Sequence, residues 1–514
     1  MTENTAVAAA SDNLFDLIRR NGAPSAKTLL ETGDGRRITY GEMLKLTAQI
    51  ANVLVLNGVE PGDRIAVQVE KTPENLLLYL ASLRVGAVYL PLNTAYTLAE
   101  LDYFIGDSEP RVVVCDPAKQ EGLKPIADKH KVAAILTLDA KGQGSLTTAA
   151  AKAPSEFADV PRGKDDLAAI LYTSGTTGRS KGAMLTHRNL SSNAEALIGT
   201  WRFTDKDVLL HALPIYHTHG LFVASNVVML SGGAMIFRPK FDADEVMNLL
   251  PRATTMMGVP TFYTRLLQHP GLTPAACAHM RLFTSGSAPL LAETHREFQE
   301  KTGHAILERY GMTETNMNTS NPYDGDRIAG TVGFPLPGVD VRIADADTGA
   351  PVEQGGVGII EVKGPNVFVG YWRMPEKTKA EFRDDGFFIT GDVGKIDERG
   401  YVHIVGRAKD LIITGGFNVY PIEVEAEIDA LPGVVESAVI GCPHPDFGEG
   451  VTAVVVRKKD ATALDEKSVL DALNIRLAKF KLPKRIIFVD DLPRNTMGKV
   501  QKNVLREQHA ALYA

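Results

Sequence analysis

Short apolar runs alternate with amphipathic stretches of helical spacing along the first three hundred residues. RIAVQV (64–69), VYLPL (88–92), RVVVCD (111–116) and LAAILYT (167–173) read as buried strands. Between them lie helix patterns. Leu44, Leu46, Ile50, Val53 and Leu54 mark one that stops at Gly58. TPENLLLYLASLRVG marks another, with Thr72 as cap and Pro73 in the first turn. LAELDYFIGDS and THRNLSSNAEAL, the latter capped by Thr186, continue the series. Parallel strands need crossover helices, so this alternation predicts a parallel α/β sheet. DVLLHALP, GAMIFRP and TTMMGVP extend it. From about residue 328 the helices stop, and TVGFPLPGVDVRIAD, GIIEVKGPN and YVHIVGR predict a small β-rich subdomain. A boundary falls near GRAKD (406–410). Beyond it IEVEAEIDAL, VVESAVIG, TAVVVR, KSVLDALNIRLAKF and RIIFVD predict an α+β unit of about 105 residues, a normal domain size.

The 514 residues include 55 Lys and Arg against 62 Asp and Glu, a net charge of −7. A general nucleic-acid coat would be basic, so no nucleic-acid partner is expected. Three cysteines without a CxxC pair indicate neither a zinc site nor a disulfide framework. They fit a reducing compartment. The most apolar stretch, LLLYLASLRVGAVYLPL, contains Arg84 and Gly86 and reads as a helix followed by a strand. The start lacks a secretory pattern. A soluble cytoplasmic protein with no membrane partner is the expectation. The segment from Arg476 to Arg506 holds nine basic and two acidic residues. It is either a solvated face or a lid that meets phosphates.

The sharpest local signal is YTSGTTGRSKG (172–182), expected between a strand and a helix. Its glycines let backbone N–H groups converge on an anion. Thr173, Ser174, Thr176 and Thr177 add hydroxyls, Arg179 and Lys181 add charge, and Gly175 and Gly178 complete the turn. It is not a P-loop, because Gly182 rather than Ser or Thr follows Lys181.

This string resembles the signature of the adenylate-forming superfamily of acyl-CoA synthetases, adenylation domains and luciferases. Further strings agree in order: YLPLN (89–93), ALPIYHTHG (212–220), SGSAPL (285–290), RYGMTET (309–315), GYW (370–372), TGDVG (390–394), GRAKDLIITGGFNVYP (406–421) and PRNTMGKVQK (493–502). The resemblance implies an α/β fold with a large N-terminal domain (1–407) of two α/β subdomains plus a small β-rich one. A small, mobile α+β C-terminal domain (408–514) would follow. It also implies a two-step reaction. A carboxylate attacks the α-phosphate of ATP, and coenzyme A then displaces AMP.

Residue by residue, the resemblance makes Lys499 the bridge between carboxylate and α-phosphate and Glu314 the Mg²⁺ ligand. Thr313 would donate to the α-phosphate. Asp392 would accept from the ribose, and Arg407 would touch ribose or phosphate. Tyr310, followed by Gly311 and Met312, would lie against adenine, whose edge Ser287, Ala288 and Pro289 would line. His217 reads as a wall of the acyl pocket and thiol route, not as a metal ligand. Lys409 is expected at the hinge, and Gly415, Gly416 and Phe417 at the coenzyme A channel. An accessible essential lysine is also a natural acylation target, so a lysine acetyltransferase and deacetylase acting on Lys499 are possible partners.

The acid is read from Arg265 and Arg309. An arginine facing a closed pocket without an anion costs several kcal/mol, about what a second substrate carboxylate would recover. Together with ERYGMTETNMNTS this resembles malonyl-CoA synthetases, which implies malonate as the acid, Ser285 and Gly286 lining a short acyl site, and a choice between malonate and methylmalonate left open. The plain alternatives are that Arg265 ends a surface helix and that Arg309 pairs with Glu308 or Glu314. A synthetase for another short or medium-chain acid, or an adenylation enzyme loading a carrier protein, stays open.

Overall fold

The computed structural model describes residues 11–21, 23–173, 180–415, 417–461, 463–495 and 498–513. Two sheets make up most of the large domain. One has six strands in the order Ala134–Thr137, Val112–Cys115, Arg64–Gln68, Val88–Pro91, Leu167–Thr173 and Lys181–Thr186. Its first five strands run parallel. The other has nine strands, with a parallel centre from Leu307–Met312 through Leu282–Ser285, Thr255–Gly258, Val208–His211 and Ala234–Phe237 to Thr28–Glu31.

Helix Pro73–Arg84 is buried along its whole length. That follows from LLLYLASL, which is apolar on every side and must be covered all round. Thr72 caps it by accepting from the Asn75 N–H, and Pro73 opens its first turn where an N–H would lack a partner. Helix His187–Trp201 starts on a capping box between Thr186 and Asn189.

An antiparallel sheet of Asp340–Ala344, Gly358–Lys363, Phe388–Ile396 and Val402–Arg407 forms the β-rich part. The C-terminal part is a five-stranded sheet around the long hairpin Val434–His444 and Gly448–Arg457, with Arg485–Val489 beside it in parallel. It has its own core of Ile412, Val424, Val451, Val455 and Leu473.

Three expectations are corrected. The Gly/Ser/Thr segment joins two antiparallel strands, Leu167–Thr173 and Lys181–Thr186, and the helix begins only afterwards. KGAMLT pairs back on its predecessor, a partnership set by the sheet rather than by any local spacing. The helix expected over KSVLDALNIRLAKF covers only Glu466–Asn474. Beyond it the chain turns into the short 3-10 segment Lys479–Lys481, and Leu477 and Phe480 still pack on the C-terminal core. The β-rich part also contains the helix Pro375–Ala380, opened by its proline, and the strand Phe388–Ile396, hidden by three nearby glycines.

Arg84 at the end of the buried helix is paired with Asp159 at 2.5 Å and donates to the Leu44 carbonyl at 2.7 Å. Both ion-pair side chains are almost fully buried. Arg84→Ala is expected to destabilise the large domain by about 3–5 kcal/mol, because buried Asp159 keeps only the longer contact with Arg19 at 3.6 Å. A fall in the chemical denaturation midpoint at unchanged slope is the readout.

Candidate active site

The crevice lies beyond the carboxyl ends of the parallel strands, where doubly wound sheets present their ligand surface. Ser285–Ser287 leave strand Leu282–Ser285, Thr313 and Glu314 leave Leu307–Met312, and His217 and His219 follow Val208–His211.

Asp392 is buried and faces Arg407 across neighbouring strands. It accepts from the Tyr310 hydroxyl at 2.5 Å and forms an ion pair with Arg407. The Asp392 charge holds the Arg407 guanidinium above its ordinary pKa. Each carboxylate oxygen retains a lone pair for an incoming hydroxyl.

Glu314 is buried, and burial raises its carboxyl above the usual range. It accepts from the Tyr371 hydroxyl at 3.1 Å. The same hydroxyl lies 2.6 Å from Glu381. Glu381 in turn holds Lys181 at 3.0 Å and Lys377 at 2.8 Å. The Lys181 ammonium sits 4.1 Å from the Tyr371 ring centre, a cation–π contact. Glu314 offers the hard oxygen donor that Mg²⁺ takes beside phosphate oxygens.

Lys499 is presented by a turn folded around Asn495, whose side chain accepts the Lys499 N–H and whose backbone N–H donates to the Lys499 carbonyl, both at 2.9 Å. A Cβ on Gly498 would lie 3.5 Å from Thr261, so the turn rests on the large domain. Burial of the amine, then the Arg407 charge, pull the Lys499 pKa down to about 8, against the opposing pull of Asp392. The side chain as a whole still reaches solvent, so water screens part of this field.

His217 is pulled down to about 4 by burial, then by the Arg309 and Lys499 charges. It is therefore a neutral ring subject to the fields of two cations. Its Nδ1 accepts the His219 N–H at 3.4 Å, leaving the proton on Nε2.

Arg309 is 3 % exposed, and its Nε and Nη2 have no partner among the described residues. Neither Glu308 nor Glu314 pairs with it among the described residues. Gly286 makes room for it, since a Cβ there would come within 2.4 Å of the guanidinium carbon. Burial lowers its pKa to about 9. Ser285 also keeps a buried hydroxyl without a partner.

The wall carrying the histidines is clamped from behind. Lys71, buried, donates to the His211 carbonyl at 2.8 Å, lies 2.9 Å from His211 Nδ1 and stands over the Phe237 ring. His211 Nε2 then donates to the Gly220 carbonyl at 2.9 Å. Gly220 opens directly onto the Pro214 carbonyl, where a Cβ would lie at 2.0 Å. The clamp joins the ends of strands from both large sheets.

Other expected residues stand apart. Arg265 is exposed in the last turn of helix Pro260–Leu267, with no ion pair among the described residues. Gly415 and Phe417 are exposed on the C-terminal part, where Phe417 stacks on Phe480 at 4.8 Å and Gly415 lies beside Phe447. Lys409 is exposed in the short turn Ala408–Asp410 that links the two parts. Thr173, Gly311, Met312, Thr313, Ser287 and Ala288 are half-buried along the crevice, and Pro289 is exposed. Ser174, Gly175, Thr176, Thr177, Gly178, Arg179 and Gly416 lie outside the described residues.

Four contributors were not singled out by sequence. Glu381 and Lys377, at i and i+4, look like an exposed helix pair. Lys71 looks like any surface lysine, and nothing in its own spacing sets His219 apart from a core histidine. His219 shares the ALPIYHTHG string, which was the available signal.

A family model described as AMP-binding enzyme matches residues 19–372, and one described as AMP-binding enzyme C-terminal domain matches residues 423–499. The ATP-bound crystal structure of MatB from Rhodopseudomonas palustris superposes with a TM-score of 0.97 at 66% identity, covering 98% of this chain and all of that one. A feruloyl-CoA synthase of Amycolatopsis is 38% identical over 92% of this chain and 94% of its own length. A malonate–CoA ligase of Arabidopsis thaliana is 34% identical over 92% of this chain and 85% of its own. The chain belongs to the AMP-binding enzyme family, built as the large domain plus its C-terminal companion.

Lys499 should titrate near pH 8 in the free protein. Trace acetylation against pH, read by mass spectrometry at this lysine, is expected to show a midpoint near that value. Arg407→Gln removes a neighbouring positive charge and should move the midpoint upward.

Proposed function

We propose that the protein is an ATP-dependent malonate–CoA ligase. It converts malonate, ATP and coenzyme A into malonyl-CoA, AMP and diphosphate through a malonyl-adenylate. The buried, unpartnered guanidinium of Arg309 carries this reading. An acid with one carboxylate would leave that charge uncompensated in the acyl site. A second carboxylate supplies two oxygens for Nε and Nη2 at once. The similar proteins include both a malonate ligase and a feruloyl synthase, so the local chemistry selects between them.

In the first half-reaction Lys499 bridges the attacking carboxylate and the α-phosphate, offsetting the charge that gathers there. In the free protein its pKa lies near 8, so the amine is mostly protonated at neutral pH, and the two anions it bridges favour that charged form further. Asp392 and Tyr310 hold the nucleoside end. Glu314 would hold Mg²⁺, which would neutralise phosphate charge when bound. Lys181 serves the departing diphosphate, released from Glu381 by the stronger anion.

In the second half-reaction the C-terminal part turns about Lys409. Gly415 and Phe417 then face the thiol route in place of Lys499. The turn of Lys499 rests on the large domain beside Thr261 while Gly415 and Phe417 stay exposed, which supports that division. Three unpaired, buried cysteines fit a cytoplasmic setting. Among the described residues no helix is long and apolar enough to cross a membrane.

AMP release with ATP, Mg²⁺ and coenzyme A tests the acid. Malonate should exceed acetate, butyrate, octanoate and coumarate, with methylmalonate next. Arg309→Met should lower kcat/KM for malonate by about a hundredfold, the loss expected for a charged hydrogen bond in a closed site. A wild-type preference for a monocarboxylate would refute the malonate assignment.

The two half-reactions should separate. Lys499→Ala is expected to abolish adenylate formation yet still make thioester from supplied malonyl-adenylate. Lys409→Pro is expected to do the reverse. Equal loss of both activities in either variant would contradict the assigned role.

A further inference from the structure

We propose that His219 is a second recognition group for the distal carboxylate of the substrate, acting beside Arg309. The inference rests on the malonate reading of the acyl site.

His219 is fully buried, and its Nε2 has no partner among the described residues. A buried ring nitrogen left unpaired is costly unless a ligand meets it. The other nitrogen is engaged, with Nδ1 lying 3.2 Å from the Ser287 hydroxyl. That hydroxyl can rotate to donate, which places the ring proton on Nε2. The free edge of the imidazole is then a neutral N–H donor.

His219 and Arg309 converge on one turn. The Arg309 guanidinium packs against Gly286, and the next residue, Ser287, holds His219. After burial, the Arg309 charge is the strongest influence depressing His219 protonation. The two side chains offer three partnerless polar atoms: Nε and Nη2 of Arg309 and Nε2 of His219. A carboxylate accepts about four hydrogen bonds, so one such group can satisfy all three. A neutral third donor adds recognition without adding a second buried charge.

The ring is held for this task by its backbone. His219 opens a π-helical turn, His219–Ser225, a wide form of helix often found at functional sites. The Gly220 carbonyl in that turn accepts from both His211 Nε2 and the Ser225 hydroxyl, each at 2.9 Å. His219 is therefore fixed on both sides, from Gly220 and from Ser287.

The test uses the full chain with His219→Leu and His219→Gln, each assayed with malonate, propionate and ATP as varied substrates. Leu removes the donor, and the Gln amide restores one near the Nε2 position. For His219→Leu the malonate KM should rise on the order of tenfold, the effect of losing a hydrogen bond to a charged group. The ATP KM and the slow propionate rate should stay within twofold. His219→Gln should recover most of the malonate affinity. Wild-type preference for malonate is established first on the same panel, so failure of that reading shows before any variant is compared. Given that preference, an unchanged malonate KM in His219→Leu overturns the role of His219 alone. Equal losses with malonate and propionate, or no recovery with Gln, also overturn it by showing only a packing role.

Discussion

A guanidinium sealed from water without an anion is the constraint around which the acyl side of this molecule is arranged. Arg309 sits on a central strand, so it cannot swing out to solvent as a surface arginine would. Its neighbours are chosen to tolerate it. Gly286 yields space, and the two nearby histidines are kept neutral by burial and by its own field. Tyr263, whose hydroxyl donates to the Thr284 carbonyl at 2.5 Å, closes part of the same region without offering a carboxylate. The site therefore stores a demand for negative charge in its resting state. Binding energy from a dianionic acid is returned where the charge was left unmet.

The nucleotide side works by the opposite arrangement. There the charges named among the described residues already have partners: Asp392 with Arg407 and Tyr310, and Lys181 with Glu381. In the proposed reading, incoming phosphates and hydroxyls compete for these groups. Paired groups are held in place before the ligand arrives, and little rotamer freedom is then lost on binding. Lys499 stands between the two regimes. It comes from a separate unit, and its lowered pKa reports burial of the amine first and the field of Arg407 second.

Much of the fold was legible in the sequence. Thr72 with Pro73, and Thr186 with its helix, announced their elements because a cap is a local device. Pairing direction is not local. Nothing in KGAMLT alone says that it turns back on Leu167–Thr173. The end of helix Glu466–Asn474 was hidden because helical spacing continues past it, and only the packing of Phe480 decides the matter. At the acyl site the sequence supplied two arginines of equal rank. Their difference lies in burial, and for Arg265 it was readable. Tyr263, Leu266 and Leu267 define the buried face of its helix, which leaves Arg265 outward. For Arg309 no periodicity reveals that both flanking strands exclude water. Lys71 and Glu381 were invisible because their partners are 140 and 200 residues away.

The clamp formed by Lys71 and His211 divides the acyl site into a stiff half and an adjustable half. The stiff half is anchored in strands of two different sheets, and moving it means parting their seam. A lineage adapting to a bulkier or less charged acid would thus find its freedom on the opposite bank, at the residues around Gly286 and Arg309. Changes at Lys71 would more often blur the choice of acid than redirect it.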